Sequence, residues 1–273
     1  MVQDEALTVV LWLWNGWRPV YDYTHVNAMV RMLRANLSIP FRIVCFTDLP
    51  DTSSFICETR PLWDIEFNVL DLDTKPGARR PPLHRLNHKP LHPRLRKPLI
   101  VQPIVQPPQP TTKPNSYRRL RMFSEWAAQE FPGTILSIDL DAVVVSDLAP
   151  ILTDHDFRIN KGRCSPYNGG MWMLRTGTRQ QVWDQFGCHA YRTTRQRGWI
   201  GSDQAWIAHV CPNEATWDAE DGVYHYSLAT RSDPLPECRV MFTAGAIKPW
   251  HEQFRKRHPV LHGIYMRALR CST

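Results

Sequence analysis

The apolar positions of the chain fall into blocks that switch between strand-like and helix-like spacing. Residues 8–14, Thr-Val-Val-Leu-Trp-Leu-Trp, form a continuous apolar run of strand length that stops at Asn15-Gly16. Such a run suits a strand buried on both faces, as in a parallel sheet. Val26, Met29, Val30 and Leu33 then recur at helical spacing, with Asp22 or Thr24 placed to cap the helix. Phe41 to Phe46 is a second strand, ending at Thr47-Asp48. Strand, helix and strand in this order make a βαβ unit and predict an α/β fold with a mostly parallel sheet flanked by helices. Ligands of open sheets of this kind bind beyond the carboxyl ends of the strands, so Asn15, Gly16 and Asp48 belong on the binding rim.

The pattern resumes at Tyr117. Tyr117 to Phe131 reads as a helix with Leu120, Phe123, Ala127 and Phe131 on one side. Thr134 to Ile138 is a strand leading to Asp139-Leu140-Asp141, and Val143 to Val145 continues in β-branched residues. Asn168-Gly169-Gly170 opens a strand that runs to Leu174, and Ser202 or Asp203 starts a helix through Val210. Arg239 to Phe242 is a short strand before Gly245 and the loop Lys248-Pro249-Trp250; Pro259 to Leu269 is a terminal helix. There is no internal repeat.

Between these two halves the pattern breaks. Residues 75–115 hold eleven of the 23 prolines, a density that excludes helix and central strand. Residues 75–116 carry nine Lys and Arg and no acid, so from a total of +7 the rest of the chain is left at −2. The organisation predicted is one α/β domain formed by 1–74 and 117–273, with a Pro-rich basic insertion at 75–116. The basicity belongs to that insertion, and it favours a polyanion as acceptor or partner. Duplex DNA carrying a hydroxymethylated base, an anionic glycan and a lipid headgroup all match this charge, and a plain soluble linker matches the composition.

With 273 residues, 43% hydrophobic and 22% charged, the chain is long enough for one sizeable core and reads as soluble and globular. No run of eighteen apolar residues is present, so no membrane-spanning helix is expected. The start, Met1-Val2-Gln3-Asp4-Glu5, lacks the basic and apolar blocks of a signal peptide, and a cytoplasmic location is the expectation. Seven widely spaced cysteines without a Cys-x-x-Cys argue against a disulfide framework or a zinc site.

Four groups of residues carry candidate chemistry. Asp139 and Asp141 lie one residue apart past a buried strand, where two carboxylates can hold a hard divalent cation on a nucleotide's phosphates. The same spacing also arises in an ordinary acidic turn, and Asp71-Leu72-Asp73 repeats it at the edge of the insertion. Arg119, on the helix before that strand, can pair with an aspartate or with a donor, or simply belong to a solvated basic face. Asp203 and Gln204 at a helix start can face a cleft, or Asp203 can be a plain N-cap. Gly245 to Trp250 combines a glycine that lets backbone approach a phosphate, a point charge in Lys248, and a wall in Trp250. The bland reading of this last group is a Gly/Pro turn with a surface lysine.

Taken in order, these groups resemble the retaining GT-A glycosyltransferases that include glycogenin and bacterial lipopolysaccharide galactosyltransferases. That family shows Tyr-x-Arg-Leu, Asp-x-Asp, an Asn-Gly strand, Asp-Gln and His-Phe-x-Gly-x-x-Lys-Pro-Trp. The chain has Tyr117/Arg119/Leu120, Asp139/Asp141, Asn168/Gly169, Asp203/Gln204 and Gly245/Lys248/Pro249/Trp250. It is also similar, through Phe46-Thr47-Asp48, to a group of bacterial and phage glycosyltransferases. The resemblance implies a GT-A (Rossmann-like) fold, a nucleotide-sugar donor such as a UDP-sugar, and Mn²⁺ or Mg²⁺ as cofactor. It implies that Asp139 and Asp141 bind metal and diphosphate, and that Lys248 and Gly245 hold the diphosphate. Arg119, Asn168, Gly169, Asp203 and Gln204 would then face the donor sugar, with Arg119, Asp203 and Gln204 as the catalytic candidates. Trp12, Asn15, Gly16 and Asp48 would hold the nucleoside, and Trp250 would wall the site.

One departure stands out. The histidine that opens the family's last motif and ligates the metal is replaced by Phe242, and Ala244 directly precedes Gly245. His251, just after Trp250, is the substitute in the same loop; otherwise water fills the position or the enzyme works without metal. Two other functions remain open on the residues alone. One is a nucleotidyltransferase, for which Asn15-Gly16-Trp17-Arg18 is a poor phosphate loop. The other is a non-catalytic polyanion-binding protein on a degenerate transferase domain.

Overall fold

The computed structural model describes residues 7–14, 20–63, 115–152, 155–163, 165–199, 202–226, 235, 237–243, 245 and 247–271. Asn15, Gly16, Asp71 to Asp73 and all but the last residues of the basic insertion lie outside them. The chain opens with β1 (Leu7–Leu13), α1 (Tyr23–Asn36), β2 (Phe41–Thr47) and β3 (Glu58–Pro61). A 3₁₀ segment (Asn115–Phe123) and α2 (Glu125–Glu130) precede β4 (Thr134–Ile138), β5 (Ala142–Val144), β6 (Phe157–Lys161) and β7 (Tyr167–Arg175). Three helices follow, α3 (Gln181–Asp184), α4 (Ala190–Gln196) and α5 (Asp203–Val210). After β8 (Ala215–Trp217), β9 (Val223–His225) and β10 (Val240–Phe242), the described chain ends in α6 (Glu252–Arg257) and α7 (Pro259–Arg270).

Seven strands form the main sheet in the order β3-β2-β1-β4-β7-β6-β8, and β5-β10-β9 form a smaller one. In the main sheet β1 runs parallel to β2 and β4, β2 to β3, and β6 to β8, whereas β7 is antiparallel to both β4 and β6. The expected mostly parallel α/β sheet is therefore observed, with one reversed strand. β1 shows why its sequence is apolar throughout. Leu7, Val9, Leu11 and Leu13 join one buried cluster, and Val10 and Trp12 join the other. The first cluster packs α1, α7 and the small sheet; the second packs the 3₁₀ segment, α2 and α5.

Local chemistry sets the element ends. Asp22 caps α1 by accepting the Thr24 backbone N–H at 2.9 Å, and His25 Nδ1 accepts the Asp22 N–H at 3.1 Å. Val26, Met29, Val30 and Leu33 are buried as their spacing requires. The single helix expected over 117–131 is not formed. Ser124 takes an extended backbone and its Oγ accepts the Ala127 N–H at 3.4 Å, so it caps α2 and splits the stretch in two. Tyr117, Leu120, Phe123, Ala127 and Phe131 remain buried on one side regardless. The six described cysteines are free. Among the described residues no helix is long and apolar enough to cross a membrane.

Leu33 is fully buried in the cluster between α1 and the sheet, away from the strand ends that carry the site. Leu33→Ala is expected to lower stability by about 2–5 kcal/mol. Urea unfolding would show this as a shifted midpoint with an unchanged slope.

Candidate functional site

The site is assembled at the carboxyl end of β1 and β4. Because β7 runs antiparallel to β4, its first residues lie beside the last residues of β4: the Asp139 N–H donates to Gly170 O at 2.8 Å. The start of α5 comes up against this junction, and Gln204 Oε1 accepts the Gly169 N–H at 2.7 Å. The chain leaving β10 closes the fourth side. A cavity of about 340 Å³ results, whose walls include Trp12, Trp14, Arg119, Asp139, Asp141, Asn168, Gly169, Gln204, Gly245 and Lys248. Gly245 sits at φ +63°, a left-handed conformation in which any larger residue is strained.

Arg119 is the centre of the charge network. Its Nη1 donates to Asp139 Oδ1 at 2.9 Å and to Gly169 O at 2.8 Å, and its Nε lies 3.3 Å from Asp203 Oδ2. Only 8% of the residue is exposed. Burial opposes its charge, but Asp139 and Asp203 outweigh it and the guanidinium pKa rises. On the other side of the cavity Lys248 Nζ lies 2.6 Å from Asp141 Oδ2, and the Tyr21 hydroxyl donates to the same oxygen at 3.0 Å. Burial, then the charge of Asp141, drives the Tyr21 pKa up, so the phenol stays a donor.

Three carboxylates, Asp139, Asp141 and Asp203, thus face two cations, Arg119 and Lys248. The excess of negative charge shows in Asp139. Burial, opposed by Arg119 and reinforced by Asp141 and Asp203, pushes its carboxyl up to about 7. The 35% of its side chain that opens to the cavity lets solvent temper this rise. Asp203 is raised as well, by burial against the pull of Arg119. Two hard carboxylates with an unmet demand for positive charge suit a divalent cation that draws its other oxygens from a phosphate. Among the described residues there is no group of three or more His, Cys, Asp or Glu that could hold an ion by itself.

Several sequence candidates take places other than the cavity wall. Asp203 stands behind Arg119 at 2% exposure and orients it. Trp250 packs behind Tyr21, with ring centres 5.7 Å apart, and so backs the wall without forming it. Asp48 lines a separate groove at the end of β2, where Arg118 Nη1 lies 4.0 Å away. His251 occupies the N-cap position of α6 without a side-chain cap bond, and its Nδ1 accepts the Lys248 N–H at 3.3 Å; it does not line the cavity. Trp14, within the rim expected from Trp12 to Gly16, lines the cavity; Tyr21 does so too, although nothing in its local spacing marks it.

Phe242, at the position where the sequence resemblance expects a histidine, packs its ring over Gly170. A Cβ on Gly170 would meet its ring at 2.9 Å, so glycine is what lets the ring lie there. The ring forms a wall of a second cavity of about 690 Å³, which shares Asn168 and Phe242 with the first. Trp217, Tyr224 and His225 give this second cavity an aromatic lining, and Lys161 and Asp218 pair at its edge at 3.3 Å. β6 bulges at Ile159/Asn160, which re-aims Asn160. Asn160 Oδ1 is buried there without a hydrogen-bond partner among the described residues.

No protein-family model and no curated protein sequence matches the chain. Solved structures do. The galactosyltransferase LgtC, in complex with donor and acceptor sugar analogs, superposes with a TM-score of 0.54 at 13% identity, covering 97% of this chain and 96% of that one. The bifunctional glycosyltransferase WbbM gives 0.54 at 13% identity, covering 100% of this chain and 51% of that one. The glycosyltransferase GlyE of Streptococcus pneumoniae TIGR4 gives 0.54 at 12% identity, covering 98% and 61%. The chain therefore spans about half of WbbM and three fifths of GlyE. It has the GT-A type of α/β fold, and at these identities the likeness is one of fold.

The raised Asp139 carboxyl has a consequence for stability. The folded state holds its proton up to about 7, whereas the unfolded chain releases it near about 4. Between those values the folded state binds more protons, so stability falls as pH rises through the window. Asp139→Asn is expected to flatten this slope. Denaturant midpoints measured from pH 4 to pH 8 for both proteins check it.

Proposed function

We propose that the chain is a glycosyltransferase that moves a sugar from a nucleotide-sugar donor, a UDP-sugar, to a hydroxyl acceptor. The observation that carries this reading is the convergence of Arg119, Asp139, Asp141, Gln204, Gly245 and Lys248 on one cavity from four separate stretches of sequence. The fold alone does not require it, and a binding protein for a polyanion needs none of these residues. In this reading the diphosphate lies between Lys248, the backbone at Gly245 and the acidic pair. The nucleoside extends toward Trp12 and Trp14, where the undescribed Asn15 and Gly16 follow. Asn168, Gly169 and Gln204 face the donor sugar, and Asp203 holds Arg119 against it.

Asp139 and Asp141 are the residues that would hold Mn²⁺ or Mg²⁺, which, when bound, neutralises charge on the leaving diphosphate. Lys248 adds a point charge at the same place, and preorganised charge of this kind lowers the barrier without reorganisation. The acceptor hydroxyl enters from the second cavity, past Asn168 and Phe242. The bond from the anomeric carbon to the diphosphate oxygen breaks as the bond to the acceptor oxygen forms. The acceptor's proton passes to the leaving diphosphate. No enzymic nucleophile is then needed, in keeping with Asp203 being committed to Arg119, and the anomeric configuration is retained.

The basic insertion adds a proposal about the acceptor, namely that it is carried on a polyanion such as DNA with a hydroxymethylated base. Trp63 and Arg118 flank the undescribed stretch, and Trp63 Nε1 donates to Arg118 O at 3.0 Å. The Trp63 ring lies 5.9 Å from that of Trp12, so both flanks meet beside the cavity wall.

Incubation with a panel of nucleotide sugars, Mn²⁺ and acceptors should release the nucleoside diphosphate. Asp141→Asn should lower the rate by about a hundredfold or more. Unchanged activity in that variant contradicts the site, pyrophosphate release from a nucleoside triphosphate favours a nucleotidyltransferase, and donor binding without any turnover favours a non-catalytic protein. Separately, duplex DNA is expected to bind the full chain with an affinity that falls steeply with salt, and to lose that binding when residues 79–113 are deleted. Salt-independent binding, or binding that survives the deletion, removes the polyanion reading.

A further inference from the structure

We infer that Lys248 holds the cation's place on Asp141 while the cavity is empty, so that a divalent cation binds tightly only together with the donor's diphosphate. This rests on reading the cavity as a diphosphate site. It adds an antagonism that the assigned roles of Lys248 and Asp141 do not contain.

Each member of the acidic pair already has one oxygen taken by a cation of the protein. Arg119 takes Asp139 Oδ1 and Lys248 takes Asp141 Oδ2. The two hold on differently. Arg119 is fixed by Asp139, Asp203 and Gly169 O together. Lys248 reaches across from the loop after β10, and its ammonium is shown on the single carboxylate of Asp141, with the Tyr21 ring centre 5.4 Å away. The two side chains of that pair are only 13% and 8% exposed, so little solvent screens it. A bare cation approaching the pair meets this ammonium on one of its two carboxylates. The third carboxylate, Asp203, is committed to Arg119, and among the described residues no group of three His, Cys, Asp or Glu could hold the ion. Phe242 fills the place of the family's histidine, and His251 is turned to the Lys248 backbone.

A diphosphate changes both sides of this balance. It offers the Lys248 ammonium another anion within reach of a flexible side chain, which frees Asp141 Oδ2. It also brings the extra oxygens that a two-carboxylate site lacks. Cation and nucleotide then each raise the other's affinity, and by linkage the factor is the same in both directions. Lys248 has opposite effects on the two ligands: it weakens the cation alone and strengthens the nucleotide.

The test uses the full chain with Mn²⁺ and UDP as probes. Free Mn²⁺ is followed by its electron paramagnetic resonance signal, and UDP binding by calorimetry in the presence of Mn²⁺. In the wild type, UDP should tighten Mn²⁺ binding by about tenfold or more. Lys248→Met should tighten Mn²⁺ binding without UDP by about tenfold and weaken UDP binding by a similar factor. Lys248→Arg, which keeps the charge, should stay near wild type in both. The inference is overturned if UDP binds yet leaves wild-type Mn²⁺ affinity unchanged, or if Lys248→Met leaves bare Mn²⁺ affinity unchanged or weaker. If neither protein binds UDP but Lys248→Met still tightens bare Mn²⁺, the antagonism stands and the diphosphate reading is what fails. Should Lys248→Met not fold, Lys248→Gln, which also removes the charge, takes its place with the same two expected changes.

Discussion

A buried guanidinium is the constraint on which the rest of the site depends. Arg119 cannot be desolvated without partners, since an unpaired buried charge costs several kcal/mol. Its partners come from three different elements: Asp139 after β4, Gly169 at the start of β7, and Asp203 at the start of α5. Satisfying one charge therefore fixes the 3₁₀ segment, the strand junction and the helix start relative to one another. It also leaves the Asp139 carboxylate pointing into the cavity under strain from its neighbours, which burial and two other acids raise to about 7. A site tuned toward excess negative charge, with its cations locked or nearly so, is suited to gaining a cation and a polyanionic ligand at once.

The fold supplies the rim on which this happens. β1 is buried on both faces because helices cover both, and its end delivers Trp12 to the cavity. The Trp12 indole N–H is held by Ser137 Oγ at 2.9 Å and its ring lies 5.3 Å from Phe46, so the wall is set by packing from two neighbouring strands. The reversed strand β7 matters most. Only its antiparallel course puts Asn168 to Gly170 next to Asp139, and only a glycine at 170 lets Phe242 lie against it. Phe242 in turn divides this cavity from the larger aromatic one.

Much of this was legible in the sequence, and the reasons for the exceptions are physical. The strand at 134–138 was readable because its apolar run is bounded sharply, and α1 because its cap and its helical spacing agree. β8 and β9 have three residues each, too few to show a period of two, and they were not anticipated. The 117–131 stretch kept its apolar side but not its continuity, because a serine competes for the backbone at 124. In the site, ordered motifs led to Arg119, Asp139, Asp141, Asn168, Gly169, Gln204, Gly245 and Lys248, all of which meet at one cavity. Tyr21 could not be found this way, since its role comes from a contact 120 positions away with Asp141. Asp203 and Trp250, expected to face the donor, instead lie behind the cavity wall, against Arg119 and Tyr21.

The central claim is that this cavity binds a nucleotide sugar through its diphosphate, and thermal unfolding in the presence of candidate donors tests it most directly. A ligand that binds only the native state must raise its melting temperature. The account predicts that at least one nucleoside diphosphate sugar, with UDP-sugars foremost, raises the transition in the presence of Mn²⁺, while the free sugar and the nucleoside do not. A screen of UDP-, GDP-, ADP- and dTDP-sugars that leaves the transition unmoved with and without the cation would contradict it.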